Sequence, residues 1–542
     1  DAEGVDLPKL LSELKEAFGD GVLPINLPAK GMTRVIDCFD RDTGESDIMT
    51  VSDVHRAFIE RVVEVDDATM EKYLEEGDAD PSTLHAPITK ALREGHIIPV
   101  CFTSAKNLIG IRDLIKVIIR HMPAPVEANA APFVDAQGNP VHIAPDPDQP
   151  VIARVFKVVS DPFVGKIGVF RVHRGRIKAG TELYAGDAKK PFKVVHPLLL
   201  QGKNTADTDE LHAGDIGALS KVDDLYYGCV LHSDPADAGI VLPRPPYPRP
   251  MFGLAIEPAR RGDESRMGEV LQKMLAEDPT LAVDHDVQLN ETVLRGLTEM
   301  HVRTVLERMK DQFKLEVTTS APSVPYRETI GAAAEGHARH KKQTGGAGQF
   351  GEVFLKVEPL PRGAGFEFVD RVKGGVIPFN LIPAVEKGVR EVLATGYMAG
   401  YPITDIRVTV YDGKSHPVDS KEVAFVAAGR KAMLDALAKA QPQILEPIVE
   451  IAVSAPESTM GAITGDIAAR RGQVQGTDNL APGVMEIKAL VPLSELTGYA
   501  ARLHALTQGA GAFTMDLADY HTVPAQKAQE LASHYQRKDE ED

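Results

Sequence analysis

Two loops and one turn hold the side chains best suited to touch a ligand. The first loop is Gln343-Thr-Gly-Gly-Ala-Gly-Gln349, which follows the cationic run Arg339-His-Lys-Lys342. Three glycines in four residues let a backbone approach another surface closely, and cations beside them can meet phosphate. The other reading is a plain hairpin with a solvated charge run. The second loop is Asp412-Gly-Lys-Ser-His-Pro-Val-Asp419, between a strand pattern and a helix pattern. There His416 either donates a hydrogen bond to RNA or simply sits in a turn. The turn is Arg470-Arg471-Gly472. It reads either as favourable charge at a helix C-terminus with a glycine cap, or as a phosphate contact.

Motifs for other chemistry do not occur. The chain has no Gly-x-Ser-x-Gly elbow, no His-Glu-x-x-His pair and no paired-cysteine zinc motif. Gly165-Lys166 and Gly202-Lys203 lack both the upstream glycine and the following Ser/Thr of a phosphate-binding loop. Gly413-Lys414-Ser415 has the serine, but Val408 stands where the first glycine belongs. Cys38, Cys101 and Cys229 are far apart and odd in number, so a disulfide framework is not expected. Each thiol reads as a small buried hydrophobe in a reducing compartment.

The elements that must position these loops follow from periodicity and punctuation. Residues 148–240 are strand-rich, with Val151–Val159, Gly165–Val172 and Thr181–Tyr184 separated by glycine turns, as in a small β-barrel. Residues 250–319 alternate strand and helix in the order βαββαβ, with helices expected at Glu264–Ala276 and Glu299–Phe313. Residues 447–517 repeat that order, with helices at Glu457–Arg470 and Ser494–Thr507. Between them, Val353–Val357 and Ile406–Tyr411 alternate as strands, and Pro383–Leu393 and Val423–Ala440 are helical. Asp419 and Glu422 have the spacing of a capping box. A helix is expected at Ile111–His121. The run Pro243-Arg-Pro-Pro-Tyr-Pro-Arg-Pro250 carries five prolines and no glycine or serine, a stiff spacer. Lys538-Asp-Glu-Glu-Asp542 reads as a solvated end.

Composition bounds the whole. The 542 residues suggest several domains, and 43% hydrophobic with 25% charged residues fits globular folding. The net charge of −18 argues against a protein that coats nucleic acid non-specifically, while leaving docking through local basic loops open. No apolar run reaches the roughly 20 residues that span a bilayer. Asp1-Ala2-Glu3-Gly4 lacks the basic start of a signal peptide.

Many short motifs, in one order along the chain, resemble the elongation factor G family of translational GTPases. Asp161-Pro-Phe-Val-Gly-Lys166 and Leu211-His-Ala-Gly-Asp-Ile216 are similar to its barrel domain. Glu277-Asp-Pro-Thr280 and Gly296-Leu-Thr-Glu-Met-His301 are similar to its third domain. Pro325-Tyr-Arg-Glu-Thr329, Thr344-Gly-Gly-Ala-Gly-Gln-Phe-Gly351, Gly374-Gly-Val-Ile-Pro378 and His416-Pro-Val-Asp-Ser420 resemble the fourth. Met460-Gly461, Ala469-Arg-Arg-Gly472, Gly498-Tyr-Ala500 and Thr507-Gln-Gly509 resemble the fifth.

The resemblance implies a multidomain α/β and β chain. Residues 1–124 would be the C-terminal part of a P-loop GTPase domain with an insertion, and 125–243 a translation-factor β-barrel. Residues 244–325 and 446–532 would be ferredoxin-like βαββαβ sandwiches. They would flank an elongated α/β domain like domain 2 of ribosomal protein S5 at 326–445, with an acidic tail at 533–542. It also implies GTP or GDP read by Asp1, Ser104 and Ala105, in motifs similar to Asn-Lys-x-Asp and Thr103-Ser-Ala105. Mg²⁺ ligands, the P-loop and the switch segments would lie outside this chain. Gly345, Gly346, Gly348, Gln349 and His416 would form a tip that enters the decoding centre, against tRNA and mRNA. Arg470 and Arg471 would contact ribosomal RNA. The expected protein is a cytoplasmic monomer that hydrolyses GTP during ribosomal translocation, with no membrane or DNA partner; the alternatives are a nucleotide-independent ribosome-docking protein and a ribosome-protection or recycling GTPase of the same superfamily. Ala347, Thr298, Asp519 and Tyr226-Tyr-Gly-Cys229 depart from the family pattern and point to a divergent paralogue.

Overall fold

The computed structural model describes residues 4–76, 84–161, 164–202, 204–287, 289–343, 348–533 and 535. The chain divides into two compact units between Pro246 and Tyr247, inside the proline run.

In the first unit, helices Leu7–Phe18, Val51–Val63, His85–Arg93 and Ile111–His121 surround a short parallel pair, Val22–Pro24 with Ile98–Val100. The helix at 111–121 has the bounds that its periodicity predicts. The strand-rich segment forms an eight-stranded antiparallel sheet. Its long central strands, Ile152–Asp161 and Gly165–Arg174, pair with each other, and Val155, Phe170, Val172 and Leu183 fill the interior. Cys229 is buried here and Cys38 in the α/β part. Burial, with Asp37 nearby, pushes the Cys38 thiol up to about 12, so it stays protonated and inert.

The second unit contains both βαββαβ sandwiches. In the first, strands Phe252–Pro258, Ala282–Asp286, Glu291–Gly296 and Val317–Ser320 line up in spatial order second, third, first, fourth. Helix Glu264–Glu277 buries Met267, Val270, Leu271 and Met274, a 3.6-residue stripe against that sheet. Helix Glu299–Phe313 starts at Thr298, whose side chain accepts from the His301 N–H at 3.1 Å. The departure from glycine at this position thus supplies an N-cap, typically worth about 1 kcal/mol. The C-terminal sandwich has the same strand order, built from Pro442–Pro456, Gln473–Ala481, Val484–Pro492 and Ala512–Thr522.

Between them lies a four-stranded sheet, Ala334–Lys342, Gln349–Pro359, Ile406–Lys414 and Phe366–Asp370 in that order. Helices Ile382–Thr395 and Glu422–Lys439 cover one face. The second helix is clad in small residues, with Ala424, Ala428, Ala432 and Ala436 all buried. It therefore packs closely on two sides. A Cβ at Gly336 would stand 2.1 Å from the Ala432 carbonyl, and one at Gly388 would stand 2.1 Å from that of Val426. These two glycines let backbone meet backbone. The strand Ala334–Lys342 and the parallel strand Phe366–Asp370 were not legible from alternation.

Candidate functional site

The two loops of this middle domain meet at one end of its sheet. Strands Ala334–Lys342 and Gln349–Pro359 pair antiparallel as far as Lys342 opposite Gln349, which brings the two ends of the glycine-rich segment side by side. Gly345 and Gly346 lie outside the described residues. Gly348 packs against the second loop, where an added Cβ would sit 2.6 Å from Asp419 Oδ1. Gln349 Oε1 accepts from His340 Nε2 at 3.0 Å.

The second loop is clamped to the first by Ser420. Its hydroxyl donates to the Phe350 carbonyl at 2.8 Å and accepts from the His416 N–H at 2.7 Å. The Phe350 N–H donates to the Asp419 carbonyl at 2.9 Å. His416 Nδ1 accepts from the N–H groups of Val418 and Asp419 at 3.4 and 3.3 Å. The ring stands half exposed, 6.3 Å from that of Phe350, and its Nε2 has no partner among the described residues. The structure therefore brings Gly348, Gln349 and His416 together. The capping box does not form. The N-cap of helix Glu422–Lys439 is Lys421, without a side-chain bond, and Asp419 is drawn to the loop instead.

The turn at Arg470 and Arg471 is built differently. Arg471 donates to both oxygens of Glu446, at 2.6 and 2.8 Å, and to Glu495 at 2.9 Å. Glu446 is 2% exposed. Arg470 binds Asp466 at 2.8 Å, lies over the Tyr499 ring and donates to the Glu495 carbonyl. Burial raises the Asp466 carboxyl, but hydrogen bonds from Arg470 and Arg502 outweigh it and hold it below the usual range. The expected glycine cap is also corrected. Arg471, at φ 60°, takes the left-handed position, and Gly472 is needed for space, since a Cβ there would stand 2.6 Å from Ile467.

In the first unit, Thr103–Ala105 forms a tight loop. Ser104 exchanges backbone hydrogen bonds with Ile109 at 2.9 and 3.0 Å, and its hydroxyl accepts from the Asn107 N–H at 3.1 Å. Ala105 is exposed. Asp1 lies outside the described residues. Among the described residues, no group of three or more His, Cys, Asp or Glu could hold a metal ion, and no helix is long and apolar enough to cross a membrane.

Sequence reasoning missed Ser420 as the clamp and the ring of Phe350 beside His416. Alternation of Phe350 with Phe354 was the signal, had the strand been extended back to Gln349.

Four family models match consecutive stretches of the chain. They are Elongation factor G domain 2 at 150–233, Elongation Factor G domain III at 247–321, Elongation factor G domain IV at 322–441 and Elongation factor G C-terminus at 443–531. Among solved structures, a protein from Thermus thermophilus is similar over 98% of this chain and 79% of its own, with TM-score 0.77 and 33% identity. Matching domains in the same order, carried on the same fold, place this chain in the elongation factor G family as an elongation-factor-G-like paralogue.

Proposed function

We propose that the protein works as a translational GTPase that binds the ribosome and promotes GTP-dependent movement of tRNA and mRNA. The observation that carries this reading is the tip of domain IV. Two loops from different strands are locked together by Ser420, and they present a half-exposed His416 whose Nε2 is unengaged among the described residues. In this reading Gly345, Gly346, Gly348, Gln349 and His416 enter the decoding centre. Glycine there permits close backbone approach, and the imidazole offers a hydrogen-bonding edge to RNA.

Arg470 and Arg471 would face ribosomal RNA. Arg470 Nη2 is the one nitrogen of these two guanidinium groups without a hydrogen bond among the described residues, so phosphate would reach it first.

In this reading GTP or GDP would meet the loop at Thr103–Ala105 on the side of the base. The Ser104 amide is spent on Ile109, which leaves the Ala105 N–H to read the guanine carbonyl. Asp1 would accept from guanine N1 and N2, a donor pair that adenine lacks. Among the described residues no cluster of His, Cys, Asp or Glu could hold Mg²⁺, and none of the residues named here is assigned to it. Bound GTP would supply the free energy of hydrolysis; these residues select the base. The protein would act as a cytoplasmic monomer.

GTP turnover by the source protein, measured with and without ribosomes, tests the reading. Strong stimulation by ribosomes supports a translocation-type GTPase. Ribosome binding without turnover would replace it by a nucleotide-independent docking factor. His416→Ala should slow translocation, and an unchanged rate would remove the tip assignment.

A further inference from the structure

The helix-free face of the domain IV sheet carries rings and cations that the tip assignment does not use. On strand Gln349–Pro359, Gly351, Val353, Leu355 and Val357 are buried, and Val353, Leu355 and Val357 join the core beneath the helices. Alternation sends Phe350, Glu352 and Phe354 to the opposite face. Their cross-strand partners on Ala334–Lys342 are Lys341, Arg339 and His337. Lys414 stands opposite Glu352 on the other side.

These side chains form a track. The Arg339 guanidinium lies 5.2 Å over the Phe350 ring. His337 stacks on Phe354 with centroids 4.1 Å apart, and Tyr411 is 6.2 Å further on. Phe350 and Phe354, four residues apart on an extended strand, are separated by roughly 13 Å. Because Phe350 also neighbours His416, the track begins at the tip and runs down the sheet. Arg339, Lys341 and Lys414 have no ion-pair partner among the described residues.

The second observation is Glu352, in the middle of the track. It is 7% exposed. Its Oε1 accepts from His337 Nε2 at 2.9 Å, and its buried Oε2 has no hydrogen-bond partner among the described residues. A buried carboxylate oxygen without a donor is costly, and native proteins rarely keep one without a use. Rings that can stack, unpaired cations that can meet phosphate, and one acceptor lacking an N–H define a single class of ligand.

We propose that this face is a platform for single-stranded RNA. Bases stack along the Phe350–Phe354 track, Arg339, Lys341 and Lys414 meet phosphates, and a base bearing an exocyclic amino group donates to Glu352 Oε2. The proposal deepens the RNA-directed reading of the tip and rests on it for the choice of RNA. Adenine and cytosine carry the required amino group, and uracil does not.

The test uses the full chain without ribosomes and fluorescein-labelled eight-nucleotide oligo(A), oligo(C) and oligo(U), read by anisotropy at low salt. Oligo(A) and oligo(C) should bind more tightly than oligo(U). Phe354→Ala should weaken binding about tenfold through lost stacking. Phe354→Leu keeps the apolar volume and should show the same loss, which separates stacking from folding. Glu352→Gln should narrow the preference over oligo(U). Arg339→Gln should lower the salt dependence by about 0.7 in log–log slope, one phosphate contact on a single strand. Phe354→Leu binding as tightly as the parent chain, or no oligonucleotide binding at all, would overturn the platform. Translocation on ribosomes is a separate readout, so a failed platform leaves the proposed function standing, and the reverse also holds.

Discussion

The tip of domain IV and the Arg470–Arg471 turn are both cationic ends of short elements, yet their polar groups are committed differently. At the turn, Glu446, Glu495 and Asp466 engage every guanidinium nitrogen but Arg470 Nη2. At the tip, the internal hydrogen bonds are made by backbone groups, Ser420, the His340–Gln349 pair and His416 Nδ1, while His416 Nε2 has no partner and the cations of the adjoining strand have no ion pair among the described residues. The difference teaches how to read a cationic motif. A guanidinium aimed at a buried carboxylate is part of the framework, because removing it strands a charge. A histidine whose backbone is fixed while its ring is exposed is placed to meet something else.

The largest test of that contrast is Arg471→Ala. It leaves Glu446 buried without its bidentate partner, and the C-terminal sandwich should lose about 3–5 kcal/mol, read by urea unfolding or hydrogen exchange. A loss well under 1 kcal/mol would mean that the turn is as open as the tip.

Ser420→Ala comes next. It removes the bridge between the two loops, and opening of the tip should become easier by about 1–2 kcal/mol, visible in exchange of the Phe350 and His416 amides. Global stability should follow only weakly.

A pH series sharpens the contrast further. The folded carboxyl of Asp466 titrates below its unfolded value, so its stabilising contribution is complete above the unfolded carboxylate pKa and is lost as pH falls through the lower folded one. The C-terminal sandwich should therefore lose stability in acid, and Asp466→Asn should flatten that part of the profile. An Asp466→Asn profile identical in shape to the parent's would show that the ion pairs of the turn do not act as framework.

The smallest expected change in stability belongs to His416→Ala, within about 0.5 kcal/mol for an exposed side chain, by thermal unfolding. The same variant should show its effect in translocation. A large destabilisation would move His416 from the open class to the framework class.

Much of the fold was legible because its cause is local. The stripe Met267, Val270, Leu271 and Met274 can face one sheet only from a helix, and the two βαββαβ orders followed from period changes along the chain. Strand Ala334–Lys342 was hidden because its polar and charged side chains lie on an edge strand whose inner contacts are made by Gly336 and Ala338. The capping box failed because Asp419 is held by the neighbouring loop, a contact from outside the helix. The glycine at 472 was legible as a turn residue but not in its role, since Ile467 and Val491 crowd it only in the packed sandwich.

The sequence by itself determined the element types, the repeated sandwich order and the two loops of domain IV, because periodicity, glycine and proline act over a few residues. Tertiary structure decided which polar atoms stay unpaired. Arg471 is spent on Glu446, twenty-five residues away, while Glu352 keeps one oxygen without a donor and His416 keeps Nε2 free among the described residues. Pairing of that kind depends on which strands lie side by side and how deeply each is buried, and no local pattern specifies either.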